Sequence, residues 1–508
     1  MEVSVLFVLL SVAAAEFAQD LAHVEDFIKQ KRFVLKKKYR PLYHISAPVG
    51  WLNSPAGFAY FKRRYHIFYQ YHPYNGAWGN MHWGQAISNN LVDWVHYPPA
   101  VLPKDFYDRS GCFAGSAIIH NDYLTLFYTG VAETKNVTTQ TQNLAISGDG
   151  IIFQKYLYNP IIKKAPFDTT ERNPKVWRVR NRWFMILGSG SRSKDGQLNL
   201  YTSPDMFHWS FNKTIARSYG DMGYMWENPD FFEMDGQYVL IVSVQGIQAD
   251  NFRFRNLCQT GYVVGNFNYQ SLHFENLELS MATFNELDYG HDFYAAQTMQ
   301  AYDGRRLLVA WLGMWESELV ESREGWASML TIVRELRLSP QSRLLMTPAK
   351  EMADLRTEIL EEAWYSPGEA FYAGTKAFEL AVNATTSWYD VAVTFEWHGE
   401  KQFTVAYSAE RGRMSIDRGG IDGVRKADWS PEGHIYWRIF VDSSSVEVFC
   451  GEGEVVFSSR IYPKKGITIR IGGEVQVHVT QYKLKRSVGY DENLRAYLKE
   501  NFVNKVKY

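Results

Sequence analysis

The chain has 508 residues, 46% of them hydrophobic, and a formal net charge of −1. That length exceeds what one hydrophobic core serves, so two domains are expected, and the composition is that of an ordinary globular protein rather than a disordered one. The near-neutral balance carries no footprint for nucleic acid or anionic lipid.

At the start, residues 3–15 (VSVLFVLLSVAAA) form an apolar run before Glu16. It suits a signal-peptide core and is too short for a membrane span, with Ala13 and Ala15 setting a small-x-small cut after Ala15. Secretion of a chain that does not enter membranes is therefore expected. N-x-S/T sequons at Asn136, Asn212 and Asn383 agree with that route. Cys112, Cys258 and Cys450 are too few for a disulfide framework and match no zinc spacing. His82 and His291 lack a third ligand, so neither a metal nor a cofactor is expected.

Residues 19–40 read as a short helix running into a basic stretch. From about 41 the texture changes to short aromatic and β-branched runs bounded by Gly, Asn or Asp: Tyr65–Gln70, Tyr123–Thr129, Arg182–Leu187, Gln237–Val244 and Arg306–Leu312. Evenly spaced strands with few helical patterns predict a β-propeller over 41–345, with two tandem sandwiches as the other all-β solution. Pro348–Ala363 reads as a charged helical linker, and period-two runs beyond it predict a β-sandwich over 365–485. The tail after Arg486 reads as a surface helix.

Residues 43–103, opening YHISAPVGWLNSPAGF, closely resemble the start of glycoside hydrolase family 32, which holds invertases, fructanases and insect β-fructofuranosidases. The likeness recurs in family order at GCFAGS (111–116), ERNPKVW (171–177), MWENPDFF (225–232), LDYGHDFYAAQ (287–297) and GWASMLTIVREL (325–336). The resemblance implies an all-β chain: a five-bladed β-propeller with a funnel-shaped site, then a C-terminal β-sandwich. It also implies retaining hydrolysis by two carboxyl groups about 5 Å apart, one attacking and one acting as acid and base, with a third carboxylate stabilising the transition state.

Residue by residue, the implied machinery is thinned. Ser54 stands at the nucleophile position and Asn173 at the stabiliser position, while Glu227 keeps the acid/base position. A serine hydroxyl without a base is a weak nucleophile, and an amide supplies no negative charge to an oxocarbenium-like centre. Ala114 replaces a substrate-contact serine, and Asn228 replaces a cysteine beside the acid. The other implied sugar contacts, Asn53, Gln70, Trp78, Phe113 and Arg172, are kept. The expectation is a pocket for sucrose, fructose or a short fructan with hydrolysis lost or strongly impaired. The competing expectation is an active β-fructofuranosidase with a rearranged nucleophile, Asp168 and Glu171 being the nearby carboxylates. Glu171 should face away from the pocket, because neighbours on a strand point to opposite faces. Asp288 and Asp292 are read as structural. Oligomeric state is not legible.

Overall fold

A computed structural model describes residues 19–135, 137–166, 169–191, 195–275, 279–397, 399–421, 423–464 and 466–491. The signal-peptide reading of 1–15, Asn136, Asp168 and most of the tail lie outside them. A helix over 19–34 buries Leu21, Val24 and Ile28, one apolar stripe at helical spacing, in the core that also holds Tyr69, Trp94 and Leu102. Among the described residues no helix is long and apolar enough to cross a membrane.

Among the described residues the strands between 50 and 348 form five mainly antiparallel sheets. Their first strands are Gly50–Phe61, Gly111–His120, Thr170–Val179, Met225–Met234 and Tyr294–Gln300. Each first strand packs beside the next, and the fifth packs beside the first, so the five close a ring. This is a β-propeller. The second strands are Arg64–His72, Tyr123–Glu133, Arg182–Gly190, Gln237–Gln245 and Arg306–Leu312. They coincide with the five runs most evident in the sequence. A second strand is paired on both edges and covered on both faces, so its residues are almost all buried and its sequence is nearly continuously apolar.

Two six-stranded sheets follow and form a β-sandwich. Alternate residues face inward, such as Phe378, Leu380 and Val382 from one sheet and Val391, Val393 and Phe395 from the other. The segment 348–363 departs from its helical reading. One 3-10 turn, Lys350–Leu355, leads into the strand Arg356–Tyr365 at the edge of a sandwich sheet. Irregularities at Arg356/Glu358 and Ile359/Glu361 break its alternation, and its exposed edge is acidic. A charged, bulged edge strand loses the period of two and imitates a helix. Val488–Tyr490, in the tail read as helical, instead adds a parallel strand to the outer edge of the first sheet.

A buried polar seam joins the two domains. Arg334 of the fifth sheet pairs with Asp288 at 2.9 Å and with Glu447 of the sandwich at 2.5 Å, all three fully buried. His44 lies between Asp442 at 2.9 Å and Glu447 at 2.8 Å. Asp292 takes Arg418 at 2.8 Å and the Arg460 backbone N–H at 2.8 Å.

Candidate active site

The five first strands share one irregularity. Each loses register with its second strand near the ring, at 53–54, 114, 173–174, 228–229 and 295–296. A bulge adds backbone to one strand and re-aims its side chains. Ser54, Asn173 and Asn228 each precede a proline, and Asn173, Asn228 and Ala295 have positive φ of 62°, 45° and 57°. Asparagine tolerates that left-handed conformation better than most residues. The bulges are where the expected site residues sit.

Glu227 immediately precedes the fourth bulge. Arg172 Nε donates to its Oε1 at 2.6 Å, while Gln245 Nε2 at 2.6 Å and the Tyr294 hydroxyl at 2.7 Å donate to its Oε2. Three sheets thus converge on one carboxylate, and its charge is matched by Arg172. Burial, and then Glu227 itself, push the Tyr294 phenol well above its usual range, so it stays a donor.

Asn173 ties the third sheet to its neighbours. Its backbone N–H donates to Thr129 Oγ1 at 2.9 Å, its Nδ2 to the Ala114 carbonyl at 3.3 Å, and its Oδ1 accepts from Asn228 N at 3.4 Å. An aspartate would lose the second of these bonds. Ser54, on the first strand, is buried and receives a hydrogen bond from Asn53 Nδ2 at 3.2 Å. Asn53 Oδ1 is in turn held by Trp51 Nε1 at 3.1 Å. Among the described residues Ser54 Oγ has no carboxylate or imidazole partner, and an amide cannot accept its proton.

The remaining positions divide by depth. Ala114 is fully buried, with its N–H donating to Gln70 Oε1 at 2.7 Å, so these two brace the wall between the first and second sheets. Phe113 is half-buried and its ring meets Trp78 edge-on at 6.2 Å. Trp78 is 49% exposed and free to offer a face. Trp83 is buried, bonded to the Phe113 carbonyl, and serves packing. Glu171 points away from Arg172, to Tyr201 at 2.7 Å and Asn199 at 2.5 Å. It is thereby unavailable as a substitute nucleophile.

Sequence reasoning missed Gln245, Tyr294 and Trp315. Tyr294 lies inside the LDYGHDFYAAQ run but reads as one more buried aromatic, and Gln245 falls one residue beyond an apolar strand pattern. Trp315 stacks on Trp51 at 6.1 Å and is 41% exposed, a second aromatic beside the site. It also missed that a thiol is supplied from elsewhere: Cys258 pairs in register with Gln245. Burial, with Glu316 and Glu227 nearby, raises that thiol, which stays protonated. The three cysteines are free and buried. Among the described residues no group of three or more His, Cys, Asp or Glu is placed to hold a metal ion.

Against known families, residues 44–348 match the glycosyl hydrolases family 32 N-terminal domain and 351–485 match the family 32 C terminal. The chain belongs to glycosyl hydrolase family 32. A sucrose-6-phosphate hydrolase of Zymomonas mobilis is 35% identical, over 94% of this chain and 98% of the relative. A raffinose invertase of Escherichia coli is 37% identical, over 84% of this chain and 90% of its own length. Among solved structures, the Bombyx mori GH32 β-fructofuranosidase superposes with a TM-score of 0.86 at 39% identity, covering 92% of this chain and 99% of that one. A variant of that enzyme has been solved in complex with sucrose.

Proposed function

We propose that this chain is a secreted family 32 protein whose propeller, read as five-bladed from the closed ring of five first strands, binds a small fructosyl sugar at the bulged ends of those strands, and that its hydrolytic activity is lost or strongly impaired. One observation carries the reading of activity. Of the three carboxylate positions that the family resemblance implies, Glu227 alone keeps its acid, already matched by Arg172, while Ser54 and Asn173 are neutral and engaged in local hydrogen bonds. Retaining hydrolysis needs an attacking carboxylate opposite the acid, and the glycosyl cation needs negative charge beside it. Members of a catalytic set act as a unit, so removing one costs up to about a millionfold.

A second reading is an active hydrolase of sucrose or a small fructan. The comparisons favour it over silence: relatives matching most of the chain are named as hydrolases and invertases. Both readings place a neutral sugar in the same funnel, where Asn53, Gln70, Trp78, Phe113 and Arg172 remain. Two measurements on one preparation decide between them: sucrose turnover, and calorimetric titration with sucrose or a short fructan. The impaired reading expects turnover at least about a thousandfold below a functional family member, with binding retained. Turnover at ordinary enzyme rates establishes the second reading and overturns the first.

A further inference from the structure

Asn212-Lys213-Thr214 lies on Ser210–Arg217, the outermost strand of the third sheet, remote from the ring of first strands. Asn212 is half-buried and faces a groove of about 1130 Å³ that also takes in Arg180, Arg182, Phe184, Phe267 and Tyr269. That groove exceeds the roughly 300–1,000 Å³ of clefts that accept a drug-sized ligand. Its floor is aromatic, with Tyr269 meeting Phe184 at 5.2 Å and Phe267 at 5.0 Å, and guanidinium groups rise beside it. Thr202 Oγ1 accepts from both Asn212 Nδ2 at 2.8 Å and Arg182 at 2.9 Å.

We propose that Asn212 carries an N-linked glycan and that the core sugars of this glycan occupy the groove between the outer edges of the third and fourth sheets. A glycosylated asparagine keeps one N–H, so the bond to Thr202 survives and directs the first sugar along the groove. There the aromatic floor takes the apolar ring faces while the arginines and Gln270 donate to hydroxyls and the acetamido group. The donor is an oligosaccharide linked to a lipid pyrophosphate. The Asn212 nitrogen forms the new bond to the anomeric carbon, and the bond from that carbon to the pyrophosphate oxygen breaks. The lipid pyrophosphate leaves with the bonding pair, and the transferase takes the amide proton. Transfer precedes folding, so the half-buried final position of Asn212 is no obstacle. The proposal needs the secretory route that the apolar leader leads one to expect, and it is independent of whether the funnel hydrolyses sugar.

Asn383 provides the contrast. It is the penultimate residue of the strand Phe378–Ala384, is exposed, and sits on the outer face of a sandwich sheet, opposite Tyr436 and His478. The experiment secretes the full chain from a eukaryotic host, maps occupancy by glycopeptide mass spectrometry, and follows enzymatic glycan release at each site from folded and denatured protein. Expected are an occupied Asn212 and release there at least tenfold slower from the folded than from the denatured chain, with a much smaller ratio at Asn383. Asn212→Gln, which removes the sequon, should remove the slow phase alone. An unmodified Asn212 in the folded, secreted chain, or release from it as fast as from the denatured chain, overturns the proposal.

Discussion

The seam between the domains and the proposed funnel at the bulged strand ends are built from the same residue types and treated oppositely. At the seam Asp288, Asp292, Glu321, Asp442 and Glu447 are buried, each with a cationic partner among Arg334, Arg418, Arg460 and His44. In the funnel Glu227 is paired with Arg172, and the implied companions at 54 and 173 are neutral. The difference follows from what each charge costs when it is lost. A seam carboxylate removed takes a partner from a buried cation such as Arg334 or His44. A funnel carboxylate replaced by Ser or Asn leaves nothing unmatched, because Asn53 and the Ala114 carbonyl satisfy the new side chains. Charges kept for chemistry strain a fold, so neutral side chains at these two positions are compatible with folding.

The largest expected effect restores the funnel to the standard of the seam. Ser54→Asp with Asn173→Asp should raise sucrose turnover at least about a thousandfold over the unmodified chain. The same variant should melt lower, since two new buried carboxylates would join Glu227 around one arginine. Unchanged turnover in a folded double variant would show that some other feature, such as the filled position at Ala114, limits the site.

Breaking the seam comes next. Arg334→Ala strips Asp288 and Glu447 of their shared cation, and removal of one partner from a buried pair costs about 3–5 kcal/mol. Denaturant unfolding should show that loss, against near-neutral behaviour for an exposed pair such as Arg323–Glu318. A loss under about 1 kcal/mol would mean that the seam is relieved by rearrangement, and the contrast with the funnel would fail.

The seam also has a pH signature. Burial works against charge on His44, but the hydrogen bonds it donates to Asp442 and Glu447 outweigh that and raise the imidazole to about 9 from 6.5. A raised folded value means that this stability is fully present below 6.5 and is lost as pH climbs through about 9. The slope approaches about 1.4 kcal/mol per pH unit between those limits. Unfolding free energies at pH 6.5 and 9 should therefore diverge more in the parent chain than in His44→Gln. His66, His82 and His96, lowered chiefly by burial to about 4, 3 and 3, act on the acid side and leave this window clear.

How much of this was legible follows from the physics of each element. Second strands announced themselves because burial on both faces makes them apolar from end to end. The edge strand Arg356–Tyr365 misled because bulges erased its alternation. The bulges of the first strands have no periodic signal, yet they aim Asn173 and Glu227. The family motifs located those residues, while the partners Gln245 and Tyr294 needed the ring to be closed before their reach to Glu227 was visible. Asn173 looked from sequence like a lost charge. In the fold it is also a left-handed bulge residue whose amide bridges two sheets.

The smallest expected effect tests whether the site, neutral at 54 and 173, holds sugar through Trp78. Trp78 keeps about half its surface open and touches Phe113 only edge to face, so its broad face is unclaimed by packing. Trp315 is already stacked on Trp51. Truncating Trp78 should therefore remove ligand contact without disturbing the core, whereas truncating Trp315 would also release Trp51 and, through it, Asn53. An aromatic contact of this kind is worth about 1 kcal/mol, which weakens binding by roughly fivefold. Calorimetry on Trp78→Ala should show that loss with an unchanged melting temperature. Affinity unaltered by the substitution would place the sugar deeper than the rim, against Glu227 and its three donors.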